Sequence, residues 1–536
     1  MTTGSLLFLI ISSCLFLMVQ AGSAEELPPT LTPLPPPEPR IHGPGVIGAR
    51  RRAPFLYTIP ATGERPIEFG VDRLPPGLEL DAATGRITGR ASVDGKELIV
   101  NGNDGKSAFP IVDSEGGLAY DVVLHARSAT GSTTKKLRIT IGDAIARTPP
   151  MGWNSWNCWA GAVDQEKVLR SARAMVSSGL INHGWTYVNI DDTWQGQRGG
   201  PYDGLQANEK FPNMQQLCDD IHGMGLKAGI YSTPWITSYA KFAGGSSDDP
   251  KGTWTKGLAD QKFQRFGKYS FAVNDVKQWA AWGFDYLKYD WSPIDVPHVE
   301  EMSKALRYSG RDIVFSLSNS ASFEHAADWA RLANCWRTTG DIWDRWEASP
   351  ADWQYGVSEI GFNQDRWAPF GGPGHWNDPD MLVVGHVGWG PSLHLTKLSP
   401  DEQYSHISLW CLFSAPLLIG CDMERLDPFT LGLLSNDEVL ALDQDSWGLP
   451  AVRVGTLGAI DVFMKTLEDG SKALGFFNRA RQTETATYNK LGRIGLPGKY
   501  HVRDLWRQKD LEDTVGSLKL TVPGHGVVLL KLTRVP

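Results

Sequence analysis

Between Thr148 and about residue 448 the chain alternates eight short apolar runs with stretches of helical periodicity, and no other feature constrains its fold as much. The runs are 151–156, 187–190, 227–231, 286–291, 313–317, 335–339, 373–377 and 415–419. Between the first two, Val168, Ala172, Met175 and Val176 recur at helical spacing behind Asp164, a side chain suited to capping a helix N-terminus. Met214, Leu217, Cys218, Ile221 and Met224 mark a second such face, where Cys218 reads as core. Short apolar runs alternating with amphipathic helices predict a parallel sheet covered by helices. Eight of them is the number a (β/α)8 barrel requires, and such barrels gather their chemistry at the carboxyl ends of the strands. Polar and acidic residues stand at those ends here: Asp191 and Asp192 after the second run, Asp290 in the fourth, Asp378 after the seventh.

The flanks have a different grammar. A length of 536 residues suggests about three domains. Residues 50–143 carry short β-type runs at 55–59, 98–100, 120–125 and 136–141, separated by turn chemistry such as Pro75-Pro76-Gly77. They predict a β-sandwich. After Trp447 the β pattern returns, and 449–536 reads as a small antiparallel domain. Residues 25–49 are proline-dense and read as a stiff extended linker. Leu6 to Val19 is almost wholly apolar and precedes Ala21-Gly22-Ser23-Ala24, the pattern of a cleaved export signal over residues 1–24. It is short for a membrane span. The expected location is secreted or periplasmic, with lipid anchoring at Cys14 the less favoured route.

Composition excludes more than it assigns. A net charge of -8 without a basic run argues against nucleic acid and anionic membranes as partners. Five widely spaced cysteines remain beyond the signal, with no staple or zinc spacing, and at most one or two disulfides are expected. His375 and His386 lack a third ligand at suitable spacing, so neither metal nor cofactor is expected. Of 21 tryptophans, 20 fall between Trp153 and Trp447, a density that suits stacking on sugar rings or filling a large core.

The fourth run carries the sharpest chemistry. Lys288 and Asp290 are two residues apart and share one face of an extended strand. An ammonium there favours the ionised carboxylate, and a positioned carboxylate can act as a nucleophile; a structural ion pair is the plainer alternative.

Five motifs in order, 148–156, 189–194, 286–291, 376–381 and 442–448, closely resemble glycoside hydrolase family 27, the α-galactosidase/melibiase family. Leu74-Pro75-Pro76-Gly77-Leu78 with Thr84-Gly85-Arg86 resembles bacterial immunoglobulin-like modules. The first resemblance implies a retaining exo-acting enzyme removing terminal α-linked galactose from glycans. It implies Asp290 as nucleophile with Lys288 beside it, and Asp341 as general acid/base with Arg337 contacting the sugar. Asp191 and Asp192 would bind the hydroxyls at C6 and C4, and Trp156, Tyr231 and Met381 would line the pocket, with Asp378 and Asp380 shaping its floor. Asp344 is close enough to Asp341 for a register slip to exchange them, Asp191-Asp192 could cap a helix, and Asp378-Pro379-Asp380 could be a simple turn. Like charges in the mouth would favour a protonated Asp341, and Arg337 would oppose that.

One departure bears on specificity. Where the family carries a Cys-Glu-Trp-like or Cys-Ser-Trp-like run, this chain has Ser316 to Phe323, which puts Asn319 at the position facing the C2 substituent and loses the tryptophan. More room is therefore expected there. Ser318 and Ala333 replace a disulfide common in eukaryotic members. Another specificity in the same pocket (α-N-acetylgalactosaminide, β-L-arabinopyranoside or α-glucan) stays open, as does a non-catalytic glycan-binding role, which would not need both Asp290 and Asp341. Oligomeric state is not readable from these residues.

Overall fold

The computed structural model describes residues 29–91, 111–112, 117–349 and 351–536. The expected export signal over residues 1–24 and the expected β run at 98–100 lie outside the described residues. All eight apolar runs form strands: Met151–Asn154, Tyr187–Asn189, Lys227–Ser232, Tyr286–Asp290, Val314–Ser318, Cys335–Arg337, Trp376–Asp378 and Leu417–Ile419. Each of the first six pairs in parallel with its successor, and the first also pairs with the eighth. The seventh and eighth are joined through Leu382, whose N–H donates to the Leu418 carbonyl at 2.8 Å and whose carbonyl accepts from Gly420 N–H at 3.0 Å. The barrel is thereby closed.

Its helices follow the sequence periodicity. Asp164 caps Gln165–Ser177 by accepting the Lys167 N–H, and Val168, Leu169, Ala172 and Met175 are buried. Val176, expected on that face, is 38% exposed instead, because its position falls just past the edge of the buried stripe. Helix Met214–Gly223 buries Met214, Leu217, Cys218 and Ile221 as read. Twelve tryptophans are wholly buried, so most of that residue's abundance is core rather than sugar-facing surface. The five described cysteines are all free and buried.

The N-terminal β domain starts earlier than the expected boundary at residue 50, with strands Arg40–Ile41 and Val46–Ala49. One sheet runs Val46–Ala49, Gly131–Ile141, Leu118–Ser128, Glu68–Asp72; a second runs Pro54–Thr58, Arg86–Arg90, Leu78–Asp81. Buried residues of both sheets, among them Phe55, Ile87, Leu124 and Ile139, form one core. The domain is held to the barrel by Arg50 N–H on the Asp312 carboxylate, Thr58 Oγ on the Gly225 carbonyl at 2.8 Å and Arg86 Nη1 on the Gly223 carbonyl at 2.6 Å. Those receiving loops lead into the third and fifth strands, so the domain closes the amino-terminal end, opposite the acidic strand ends.

The proline-dense segment is not a free linker over its described part. Leu31 N–H donates to the Tyr404 hydroxyl at 2.8 Å, Thr32 Oγ donates to the Gly432 carbonyl at 2.7 Å, and Asn436 Nδ2 donates to Thr32 Oγ at 3.1 Å. Prolines fix an extended shape and leave few donors, so the segment lies as a strap along the last barrel helices.

The C-terminal domain is antiparallel, with a six-stranded sheet and a separate pair, Glu484–Tyr488 with Leu518–Val522. It packs on helix Pro400–Leu412, where Trp506 Nε1 donates to Ser408 Oγ at 2.9 Å and Ser405 Oγ donates to the His525 carbonyl at 2.6 Å. Being covered on one side by the barrel and on the other by this domain, the helix is buried from Gln403 to Leu412. Among the described residues no helix is long and apolar enough to cross a membrane.

Candidate active site

Strand alternation assembles the site. In the fourth strand Leu287 is buried in the apolar core, while Tyr286 and Lys288 line a cavity of about 20 Å³ inside the barrel together with Ser316, Ser318, Arg337, Asp378, Asp380 and Met381. Asp290, at the end of this inward row, is 7% exposed. Its Oδ2 accepts the Tyr231 hydroxyl at 3.0 Å, and its Oδ1 accepts the Asn319 side-chain amide. The expected partner is elsewhere: Lys288 Nζ donates to Asp191 Oδ2 at 2.8 Å. Burial pushes the Asp290 carboxyl up to about 7, Lys288 pulls it down, and Asp341 and Asp191 push it up again. Lys288 favours the ionised form as expected, but desolvation outweighs an ammonium whose own hydrogen bond goes to another carboxylate.

Asp191 and Asp192 do not cap a helix; the chain continues into the hairpin strand Gln195–Gly199. Asp191 N–H is fixed by Ser155 Oγ at 3.0 Å. Asp192 accepts from Gln195 Nε2 at 2.9 Å and from Ala240 N–H at 2.9 Å, and its fully buried carboxyl is raised by desolvation against those hydrogen bonds. Trp156 follows the first strand and is half-buried, its N–H accepted by Asn154 Oδ1 at 2.9 Å.

On the opposite side, buried Arg337 forms a clamp. Its Nη2 reaches Asp380 Oδ2 at 2.7 Å, Asp341 Oδ1 at 3.2 Å and the Gly340 carbonyl at 2.8 Å. The Asp341 side chain is 37% exposed at the mouth. Asp344 is excluded from this role by its surroundings: wholly buried, it accepts from Lys397 N–H at 3.0 Å and pairs with His394 Nε2 at 3.0 Å. Asp378 Oδ1 accepts the Asp380 N–H at 2.8 Å, as in a turn, and both residues line the small cavity inside the barrel. Burial raises Asp378 to about 6, with Arg337 opposing. Met381 is buried beside them.

Two residues were missed by sequence reasoning. Tyr239, on the long loop after the third strand, is close enough to Asp290 and Asp341 that both charges add to the upward push of burial on its hydroxyl. The unusual length of that loop is the signal that could have drawn attention to it. The second is Tyr355: a Cβ built on Gly340 would meet its ring at 2.8 Å and Ser320 Oγ at 3.7 Å. The space expected beside Ser320 is thus partly occupied by an aromatic ring from the following loop. Ser318 and Ala333 are buried and packed. His375 Nδ1 donates to the Phe370 carbonyl at 2.9 Å, away from these carboxylates.

A buried carboxyl held by neutral donors, Asp290, together with a partly exposed one held by a guanidinium, Asp341, can attack a bound molecule and exchange protons with it. The Alpha galactosidase A family matches residues 148–260 and 258–445, and the Alpha galactosidase C-terminal beta sandwich domain matches 457–532. The α-galactosidase of Oryza sativa subsp. japonica is 35% identical over 419 residues, covering 76% of this chain and 90% of its own. A candidate α-galactosidase from Bacteroides fragilis superposes with a TM-score of 0.79 at 31% identity, covering 93% of this chain and 98% of its own, a share too large to stop at the barrel. A β-L-arabinopyranosidase from Geobacillus stearothermophilus gives a TM-score of 0.61 at 28% identity, covering 73% of this chain and 97% of its own.

Proposed function

The chain belongs to the α-galactosidase (melibiase) family, and from that premise we propose that it is an exo-acting α-galactosidase working with retention of configuration. Asp341 protonates the glycosidic oxygen while ionised Asp290 attacks C1. Asp341 then takes a proton from the water that releases the sugar. The observation that carries this reading is the pair of donors, Tyr231 hydroxyl and Asn319 amide, one on each oxygen of Asp290. They hold the carboxylate at a fixed angle without neutralising it. Asp191 and Asp192, tied down by Lys288, Ser155, Gln195 and Ala240, stand ready for the C6 and C4 hydroxyls. Arg337 positions Asp341 as well as facing the sugar. Export through the N-terminal segment and an immunoglobulin-like spacer role for the N-terminal β domain are part of this proposal. The spacer role fits a two-sheet domain at the barrel end remote from Asp290.

A β-L-arabinopyranoside reading is favoured by the likeness to the Geobacillus enzyme, since that sugar has galactose stereochemistry without the C6 hydroxymethyl. Retention of Asp191 beside Lys288 weighs for galactose, because a buried polar group loses a partner when the hydroxyl is missing. The test is kcat/KM on a panel of aryl glycosides. α-Galactoside should lead β-L-arabinopyranoside, α-N-acetylgalactosaminide and α-glucoside, and proton NMR should show the α anomer first. A preference for the glucoside, or first-formed β sugar, would overturn the proposal.

The pH profile gives a second check. Protonated Asp290 cannot attack, so kcat/KM should fall as pH drops through about 7, the value to which burial raises this carboxyl. Lys288→Met removes the cation that pulls it down, and the acid limb should move to higher pH. An unmoved limb would mean that another group controls it.

A further inference from the structure

At the mouth around Asp341 stands a set of aromatic side chains that the chemistry at the sugar does not use. Residues 341–343 run extended against Tyr355: Tyr355 N–H donates to the Asp341 carbonyl at 2.9 Å and Trp343 N–H to the Tyr355 carbonyl at 2.8 Å. Ile342 points into the core with no exposure, which places the Asp341 and Trp343 side chains together on the outer face, about 6–7 Å apart along the chain. The Trp343 ring lies on Trp389 with 3.7 Å between centroids and 13° between planes. Trp389 holds its position at a φ of 55° through an N–H bond of 2.9 Å to the Asn157 carbonyl, next to Trp156. The stacked pair therefore links the Asp341 side of the mouth to the Trp156 side. On the loop between Trp343 and Tyr355, closed by the Arg345–Asp352 pair, Trp353 is 72% exposed, and Tyr355 itself is 41% exposed. These rings are not overflow from a core that already seals twelve tryptophans completely.

The direction of the reaction says what would sit there. Asp341 gives its proton to the glycosidic oxygen, so the matter beyond it is the leaving group. Trp343 and Trp389 are half-buried, with the Arg345 guanidinium 5.8 Å from the Trp343 ring centroid, while Trp353 and Tyr355 beside them are exposed. Such a rigid aromatic group is suited to the C–H face of a sugar ring, and pre-ordering it lowers the entropy lost on binding. Resting on the galactosidase reading, we propose that the Trp343–Trp389 stack, flanked by Trp353 and Tyr355, is a subsite for sugar rings of the leaving group.

The experiment compares kcat/KM for α-galactosyl mannotriose and α-galactosyl lactose with that for α-galactosyl fluoride, which has no leaving-group ring. For the better oligosaccharide, the ratio to the fluoride should fall about ten-fold or more in Trp343→Ala, the scale of losing one anchoring aromatic contact. In Trp353→Ala, whose exposed position makes folding safe, it should fall about three-fold. Unchanged ratios in both variants overturn the subsite and leave the galactosidase reading standing. A wild-type protein inert on the fluoride overturns that reading and the subsite with it.

Discussion

Asp290→Asn should abolish turnover of every α-galactoside, by at least about 10⁴-fold, and should at the same time raise the unfolding temperature. The first half follows from chemistry: an amide of nearly the same shape is a poor nucleophile. The second follows from burial. A carboxyl whose folded value is about 7 against an ordinary 3.8 is uncharged in both states well below pH 4, so the substitution is neutral there. As pH rises through this interval the folded protein must ionise a desolvated group, and stability falls until it levels off above about pH 7. The full effect is on the order of 4 kcal/mol, worth several degrees, and Asn removes it. Tyr231 can turn its hydroxyl to accept from the new amide, so the fold loses little. The measurements are thermal unfolding at pH 4 and pH 7.5, with covalent trapping of a galactosyl group on the wild type and peptide mapping. A label on any other residue, or a variant that is destabilised at neutral pH, would sink the assignment.

Asp341→Ala has the next largest effect, and its signature is a split between substrates. A leaving group with a high pKa needs the proton, so natural linkages should slow by about 10²–10⁴-fold. An activated aryl galactoside leaves unaided and should lose mainly the second step, where the base is missing. Azide, small enough to enter the space left by the carboxylate, should restore that step and yield the galactosyl azide. Arg337 would remain paired with Asp380, so the clamp survives and the pocket keeps its shape. Equal losses on both substrate types without azide rescue would move the role to another carboxyl.

The fold was legible because it rests on local patterning. Each barrel strand is an apolar run long enough to recognise, and each helix repeats apolar residues on one face, as in Gln165–Ser177. Asp191, Asp192, Asp290, Asp341 and Asp378 could be picked out because strand ends and motif spacing are local too. What escaped depends on contacts between segments distant in the chain. That Lys288 turns to Asp191 rather than Asp290 is decided by the neighbouring strand, not by the two-residue spacing. Asn319 faces the Asp290 carboxylate with a backbone φ of 71°, a conformation that no pattern of side chains announces. Tyr355 fills space beside Ser320 from a loop thirty-odd residues later. The proline-dense segment misled for a related reason: composition predicts extension, and the strap is extended, but its docking partners lie near the other end of the sequence.

That strap also sets an order of events. Leu31 binds Tyr404, 373 residues downstream, and Thr32 binds Gly432 and Asn436 later still. A chain emerging at about 5–20 residues per second offers no Tyr404 hydroxyl to Leu31 for roughly 20–75 s after Leu31 itself has appeared. The N-terminal β domain can close its own core in that interval, yet its leading edge must wait with the apolar groove for Leu31 unbuilt. Seating the strap is therefore a late step of biogenesis, one that registers completion of the barrel from the far end of the polypeptide.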